Sequence, residues 1–263
     1  MSKVRQTIEG KTNLFLFPHN DDELFALPIL QMAEESSKQS ICIFLTSPQS
    51  RTLAQKRRSE SDVVLSGLNK VSLLNDGSIN SLDGFLVTDL AHLRRLILKY
   101  IAENGIILDN CVFPALEGGH QDHDAAHLLG ASLSLSLELK SLQYLTYRPI
   151  GWYKFYTAMS PSKMFRDTQE IEKVCFSVRA GFKFISKVKH YPTQKKSLIL
   201  LFPFMLLRYL IHRRIEVVIS KPILQVVNHK VVPLYNRRNN FNEVDFLNES
   251  RKFFREINPK DYD

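Results

Sequence analysis

The first part of the chain alternates between short apolar runs and longer stretches whose apolar residues recur at helical spacing. The short runs are rich in β-branched and aromatic residues and predict buried strands at 13–17, 41–47, 71–75, 111–115 and 143–147. The longer stretches predict helices at 24–35, 53–68, 89–103 and 123–139. This alternation predicts an α/β fold, a Rossmann-like, doubly wound and mostly parallel sheet. Ligands bind such sheets beyond the carboxyl ends of the strands.

Polar residues follow the first predicted strand directly, in the segment NLFLFPHNDDELF (13–25). Asp21, Asp22 and Glu23 are consecutive acids, and His19 precedes them. Neighbouring carboxylates repel one another unless something positive lies between them. A cation would resolve that repulsion. A helix N-terminus is the structural alternative, since Asn20 and Glu23 match a capping box, but capping leaves His19, Asp21 and Asp22 unexplained.

A second polar segment, FPALEGGHQDHDAAHLLG (113–130), follows a later strand. Five of its residues could bind a metal: His120, Asp122, His123, Asp124 and His127. Two strand ends at one edge of a sheet could bring His19 and an Asp together with one of these histidines, which would give the His, His, carboxylate set of an open zinc site. The alternative is a solvated helix start, where the negative charge of Asp122 or Asp124 would interact favourably with the helix dipole.

A rival metal arrangement uses the second segment alone. His123 and His127 lie one helical turn apart and could bind zinc as a pair. This arrangement ignores the whole first segment and lacks the glutamate of the zincin pattern. We therefore favour the site that joins the two strand ends.

The composition is that of an ordinary globular protein, 263 residues long with 44% hydrophobic and 24% charged residues. Cys42, Cys111 and Cys175 are widely spaced and include no CxxC pair, which favours free thiols and a reducing cytoplasm. The polar N-terminal segment 1–13 has no apolar core of a signal peptide. We expect a cytoplasmic protein.

The formal net charge of +8 indicates an anionic partner, such as a nucleotide, a phosphorylated sugar or an acidic membrane surface. Nucleic acid is not favoured, because the chain has no basic stripe with interleaved aromatic residues and no recognisable binding module.

The two motifs together resemble a known family. PHNDDE (18–23) and HQDH (120–123) are similar to the His-Pro-Asp-Asp-Glu and His-x-Asp-His motifs of the LmbE-like, or PIG-L, zinc-dependent N-acetylglucosaminyl deacetylases. Weaker similarity continues through RRSE (57–60) and YPTQ (191–194). The resemblance covers about residues 12–195 of one deacetylase domain, 1–263, and leaves 196–263 as a C-terminal elaboration of unknown role.

The resemblance implies a role for each matching residue. It implies that His19, Asp22 and His123 are the zinc ligands and that Asp21 is the general base. It implies that His120 polarises the amide carbonyl or protonates the leaving amine, and that Asp122 orients a histidine. Arg57 resembles a substrate-binding arginine. A solvated helix face is the alternative for Arg57. Asn20 and Gln121 stand where the family usually has proline, and neither position supplies a ligand or a proton.

The activity that the resemblance implies is zinc-dependent removal of an acetyl group from an N-acetylated amino sugar, nucleotide-linked or lipid-linked. Hydrolysis of an amide in another small metabolite is an alternative. A catalytically silent module that binds metal or sugar is another, although the intact motifs argue against it.

The segment KKSLILLFPFMLLRYLIHRR (195–214) is strongly apolar between two basic pairs. A spanning helix needs about 20 mostly apolar residues, and this segment is interrupted by Pro203 and Arg208. It predicts either a buried element of the C-terminal part or a segment lying in the membrane interface, with the basic pairs at anionic headgroups. The second alternative would make the protein peripheral at the inner face of a membrane.

Overall fold

A seven-stranded sheet forms the centre of the molecule. The computed structural model describes residues 2–74, 79–150, 156–219, 233 and 243–257. The strands of the large sheet are β1 (Thr12–Phe17), β2 (Gln39–Phe44), β4 (Val71–Leu74), β6 (Asn110–Pro114), β7 (Lys140–Tyr144), β10 (Ile171–Cys175) and β11 (Arg214–Val218). Two small sheets pair β3 (Thr46–Ser47) with β5 (Ser81–Leu82), and β8 (Tyr147–Pro149) with β9 (Tyr156–Ala158).

The order of the large sheet is β10-β11-β7-β6-β1-β2-β4. Strands β7, β6, β1, β2 and β4 pair in parallel, and β11 is antiparallel to both of its neighbours. From β1 the chain adds strands first on one side and then on the other, so the order reverses between β1 and β6. The predicted mostly parallel α/β sheet is confirmed, and its switch point lies where ligands of such sheets bind.

Helices cover both faces of the sheet. The described helices are α1 (Lys3–Ile8), α2 (Glu23–Ser36), α3 (Arg51–Leu65), α4 (Leu90–Glu103), α5 (Gln121–Ser136), α6 (Lys163–Thr168), α7 (Val178–Lys187), α8 (Lys195–Leu206) and α9 (Glu243–Ile257). In β1, Phe15 and Phe17 pack in one core cluster with α2, α7 and α8. Leu14 and Leu16 pack in the other with α4, α5 and α9. The first strand is therefore buried on both faces, which explains its continuous apolar run.

The later part of the chain completes this sheet. β11 pairs with β7 and β10, and a π-helical turn (Leu207–His212) connects α8 to it. Within the predicted C-terminal elaboration, residues 220–232, 234–242 and 258–263 lie outside the described residues. Among the helices that the structure describes, none is long and apolar enough to cross a membrane.

Candidate active site

The first motif forms a tight turn between β1 and α2. Asp21 has a positive φ of 120°, a backbone angle that residues other than glycine rarely adopt. Its backbone N–H donates to Glu23 Oε2 at 2.8 Å, and the carboxylate of Asp22 accepts the N–H of His19 at 2.8 Å. The capping-box interpretation is wrong, because the helix begins at Glu23, and Asn20 instead donates its amide to Ser61 Oγ at 3.0 Å.

The second motif follows β6 through a glycine turn. Gly118 has a positive φ of 68°, and a Cβ at Gly119 would lie 1.9 Å from the carbonyl oxygen of Tyr147, so only glycine fits there. Helix α5 then begins at Gln121, and His120 Nδ1 accepts the N–H of Asp122 at 3.2 Å. The turn holds the second motif against the start of β8, just beyond the end of β7.

The two motifs meet at the switch point. His19 Nδ1 lies 3.1 Å from Asp22 Oδ2, and His19 Nε2 lies 3.0 Å from Asp122 Oδ2. His123 Nε2 lies 3.1 Å from the other oxygen of Asp22. The ring of His120 packs edge-on against His19 with centroids 4.9 Å apart. Residues about 100 positions apart in sequence therefore surround one small volume.

Two overlapping sets could hold a metal ion. His19, Asp22 and His123 form one set, and His19, His120 and Asp122 form the other, with the ligand atoms of each within 4.8 Å of one another. The rival pair is not supported. Within the described residues neither set includes His127, whose Nδ1 lies 3.1 Å from the carbonyl oxygen of Pro114.

Further groups orient the candidate ligands. His123 Nδ1 lies 3.0 Å from Thr146 Oγ1, whose hydroxyl donates to Glu117 Oε2 at 3.3 Å. Asp122, which contacts His19, accepts the N–H groups of Gly84 at 2.6 Å and Leu86 at 3.2 Å. Histidine ligands of metals are typically fixed in this way through their second ring nitrogen.

The surroundings separate the pKa values of the two adjacent aspartates. Burial raises the pKa of Asp21 well above its usual range, and the charge of Asp22 adds to this effect. Burial acts in the same direction on Asp22, but the contacts with His123 and His19 outweigh it and hold the pKa of Asp22 below its usual range. Asp22 is therefore the stronger acid of the pair, and Asp21 is the stronger base.

The surroundings also separate the pKa values of His120 and His19. Burial lowers the pKa of His120 to about 3, although Asp122 opposes this shift. Burial also acts to lower the pKa of His19, but its hydrogen bonds with Asp122 and Asp22 raise that pKa well above the ordinary value. His120 is therefore neutral at physiological pH.

The late YPTQ segment packs against the first motif. Tyr191 donates its hydroxyl to Glu23, and Gln194 donates its side-chain amide to the carbonyl oxygen of Asn20 at 2.6 Å. Thr193 N–H donates to Glu60 of the RRSE segment at 3.0 Å. The two weaker similarities thus lie beside the motif and support its backbone.

A cavity of about 730 Å³ opens over these groups. It is lined by both motifs, by Arg57 and Asp83, and by apolar and aromatic side chains: Phe25, Phe85, Tyr147, Tyr156, Leu200 and Leu201. Arg57 Nη1 donates to Asp83 Oδ2 at 2.8 Å, and its side chain is only 17% exposed. Arg57 therefore faces the cavity and not a solvated helix surface.

Several residues of the site do not follow from the sequence patterns. Thr146 lies two residues beyond the end of β7, and Tyr147 begins β8, so both lie at a third strand end on the same edge of the sheet. The sequence pattern placed both inside the predicted strand 143–147, and their position at its end is the signal that could have identified them. Asp83 and Glu117 carry no comparable signal, because single acids in loops are common. Their positions depend on how β5 and the glycine turn pack.

Comparison with known proteins agrees with this geometry. The family of GlcNAc-PI de-N-acetylases, PIG-L, matches residues 14–134, a little under half of the chain. No curated protein sequence matches the chain.

Three solved structures share the fold at low identity. The A40926 pseudoaglycone deacetylase has a TM-score of 0.55 at 17% identity and covers 82% of this chain and 99% of its own. A deacetylase of the teicoplanin pathway, bound to bog, has a TM-score of 0.53 at 15% identity, with 79% and 96% covered. The zinc-inhibited form of a teicoplanin deacetylase has a TM-score of 0.53 at 14% identity, with 79% and 97% covered. The family model covers residues 14–134, which hold both motifs, so the resemblance to the PIG-L family predicted from the sequence is confirmed.

Proposed function

We propose that the chain is a zinc-dependent hydrolase that removes the acetyl group from an N-acetylated amino sugar, releasing acetate and a free amine. The observation that carries the proposal is the convergence of His19, Asp22 and His123 within 4.8 Å at the switch point of the sheet. The family match over both motifs and the shared fold of three deacetylases support it.

The donor set suits zinc. Two imidazoles and one carboxylate, with an open side towards a cavity, are the ligand types and count of catalytic zinc sites. The contact of His123 Nδ1 with Thr146 leaves Nε2 towards Asp22, as a ligand nitrogen requires. When bound, zinc supplies Lewis-acid chemistry and lowers the pKa of a coordinated water towards neutrality.

The protein groups around this site have distinct roles in the proposed reaction. Asp21 lies next to a ligand without belonging to either metal set, so its carboxylate is available to accept a proton from the attacking water. His120 Nδ1 accepts a backbone N–H, so the neutral ring carries its proton on Nε2 and can donate it towards the amide oxygen. Asp122 orients His19 by its hydrogen bond.

The residues that line the cavity support the proposal of a sugar substrate with an anionic or polar attachment. Arg57 has a buried Nε with no hydrogen-bond partner among the described residues, and a substrate oxygen would satisfy this donor. The aromatic side chains Tyr147, Tyr156 and Phe85 offer flat apolar surfaces to the carbon faces of a sugar ring. We propose an N-acetylglucosamine-type glycoconjugate, nucleotide-linked or lipid-linked.

We also propose that residues 1–263 act as one deacetylase domain in the cytoplasm. In support, β11 of the C-terminal part pairs with β7, next to the strand end that carries Thr146. Cys42 and Cys111 are buried free thiols, as is usual in a reducing compartment.

Acetate release tests the activity directly. The full chain, stripped of metal with a chelator and reloaded with zinc, should release acetate from one class in a panel of free, nucleotide-linked and lipid-linked N-acetylhexosamines. The stripped protein should be inactive, and a titration with excess zinc would separate activation from inhibition. A zinc-loaded protein that releases no acetate from any member would contradict the proposal.

Metal content of variants tests the ligands. His19→Ala, Asp22→Ala and His123→Ala should each lose most bound zinc by elemental analysis, because each removes one of three ligands. His127→Ala is the control and should retain zinc, provided that circular dichroism shows a folded protein. Retention in His19→Ala together with loss in His127→Ala would move the site to the rival pair.

A further inference from the structure

The net positive charge of the chain comes from one segment. Residues 173–215 contain ten of the 35 Lys and Arg residues and none of the 27 Asp and Glu residues. The rest of the chain carries 25 basic against 27 acidic residues, so it is slightly negative. This basic segment comprises most of β10, α7, α8 and the π-helical turn. Electrostatic attraction would therefore bring an anionic partner to this segment and not to the rest of the chain.

The same basic segment exposes large apolar side chains. Seven of the fourteen exposed large hydrophobic residues that the structure describes belong to it: Val178, Phe182, Ile199, Leu200, Phe202, Leu207 and Ile211. Ile199 is 59% exposed and Ile211 is 68% exposed. Such a concentration in one segment differs from the scattered apolar residues of an ordinary surface.

Helix α8 is apolar on both its inner and its outer face. Its inner face, Leu198, Leu201 and Met205, is buried in the core. Its outer face carries the neighbouring residues Ile199 and Leu200. Leu207, the first residue of the π-helical turn, lies about two helical turns further along, and all three are exposed. A helix that is apolar all round normally has a second apolar environment on its outer side. The inner face agrees with the prediction of a buried element, and the outer face is not accounted for by that prediction.

Basic residues border this outer face. Lys195 and Lys196 lie at the start of α8, and Arg213 lies just beyond the π-helical turn; all three are exposed. Lys183 is also exposed, on the neighbouring helix α7. Among the described residues, neither Lys195 nor Lys196 has an acidic partner. Apolar residues bordered by unpaired cations complement a layer with an apolar interior and anionic headgroups.

The outer face also adjoins the cavity. Leu200 lines the cavity and is 61% exposed, and Tyr156, another lining residue, donates its hydroxyl to the carbonyl oxygen of Leu200 at 2.9 Å. A surface that covered α8 would therefore lie beside the mouth of the cavity.

We propose that the outer face of α8 and its basic border dock onto an anionic lipid bilayer. The apolar residues Ile199, Leu207 and Ile211 enter the headgroup region, while Lys195, Lys196 and Arg213 contact lipid phosphates. This docking goes beyond the proposed hydrolysis and holds whether or not the cavity cleaves an acetamide.

Vesicle binding by the full chain tests the docking. The protein should sediment with phosphatidylcholine vesicles that contain phosphatidylglycerol, and high salt should release it; pure phosphatidylcholine vesicles should retain much less. The Lys195→Gln, Lys196→Gln double variant should lose about fivefold in affinity for each charge removed. The Ile199→Ser, Ile211→Ser double variant should lose about tenfold or more, because two exposed apolar anchors are removed.

Matched controls change the same chemistry elsewhere. Lys56→Gln with Lys140→Gln removes two exposed lysines, and Val63→Ser with Ile107→Ser removes two exposed apolar side chains, all outside the basic segment. Both controls should bind vesicles like the unchanged protein. Equal losses in control and test variants would overturn the proposal. So would absence of vesicle binding, or an apolar face variant that changes the oligomeric state and not vesicle affinity, which would assign the face to a second copy of the chain.

Discussion

Asp21 combines a strained backbone with a carboxylate that lines the cavity. Its φ of 120° is unfavourable for a side chain, and the hydrogen bond from its N–H to Glu23 holds it there. Glu23 is itself fixed by the hydroxyl of Tyr191. The strain is therefore maintained by neighbours that contact the turn from α2 and from the later YPTQ segment.

Asp21→Asn should separate metal binding from chemistry. The amide keeps the shape of the side chain but cannot accept a proton from water, so kcat should fall by roughly 10²-fold or more. Zinc occupancy should stay near that of the unchanged protein, because Asp21 belongs to neither metal set. Near-normal turnover in this variant, measured as acetate release, would show that another group takes the proton.

Thr146 contacts His123, a proposed zinc ligand, through its hydroxyl. Thr146→Val keeps the volume but removes the hydroxyl that contacts His123 Nδ1, so zinc affinity should fall about 10- to 100-fold in a chelator competition assay. Thr146→Ser retains the hydroxyl and should bind zinc nearly normally. A valine variant with unchanged affinity would mean that packing alone orients His123.

The sequence was sufficient to predict which motif side chains meet, but not which other groups contact them. His19, Asp22 and His123 stand in two compact motifs directly after apolar strands, so their meeting follows from strand order. Thr146 and Glu117 are isolated polar residues. They reach His123 because the glycine turn packs against the segment that follows β7. Such long-range contacts leave no local pattern.

Helix α7 packs closely against the π-helical turn at a single glycine, Gly181. A Cβ on Gly181 would lie 2.0 Å from the carbonyl oxygen of Tyr209, and that backbone atom cannot move without displacing the turn. Gly181→Ala should therefore lower the free energy of unfolding by about 1–3 kcal/mol, the usual range for overpacking.

Gly67→Ala is a matched control for this packing. A Cβ there meets nothing within 4 Å, so urea unfolding should give a stability within about 0.5 kcal/mol of the unchanged protein. Equal stability of the Gly181 and Gly67 variants would show that α7 can shift away from the turn freely.

Strands were predictable where apolar or aromatic residues form a short run. β1, β2 and β6 are almost completely buried and β4 and β7 are partly exposed, but all five gave such runs. The helices between them were predicted from apolar residues at helical spacing. β10, with the sequence IEKVC, is only partly buried at the sheet edge, and its mixed pattern indicated no strand. β11 is buried but follows the apolar segment without a turn signal, so its start was not visible in the pattern.

Stability of the whole molecule should depend on pH through Glu117. Burial raises the pKa of Glu117 to about 8, although hydrogen bonds from Thr146 oppose the shift. Between its ordinary value of 4.5 and about 8, the folded protein holds a proton that the unfolded chain has released. Rising pH therefore destabilises the fold across this interval, by at most about 5 kcal/mol from this group.

Glu117→Gln removes this dependence. Urea unfolding of the metal-free protein at several pH values from 5 to 8 should give a flatter stability curve for the variant than for the unchanged chain. Parallel curves would show that Glu117 is already ionised in the folded protein at pH 5.

The position of β11 between β7 and β10 also sets an order for folding during synthesis. When the ribosome has completed α8, both motifs have been synthesised, but one edge of β7 is open and β10 has no partner strand in the sheet. Only translation through Val218 supplies the strand that pairs with both. A nascent chain paused before that point exposes an unpaired strand edge, which is a site for aggregation and for chaperone binding.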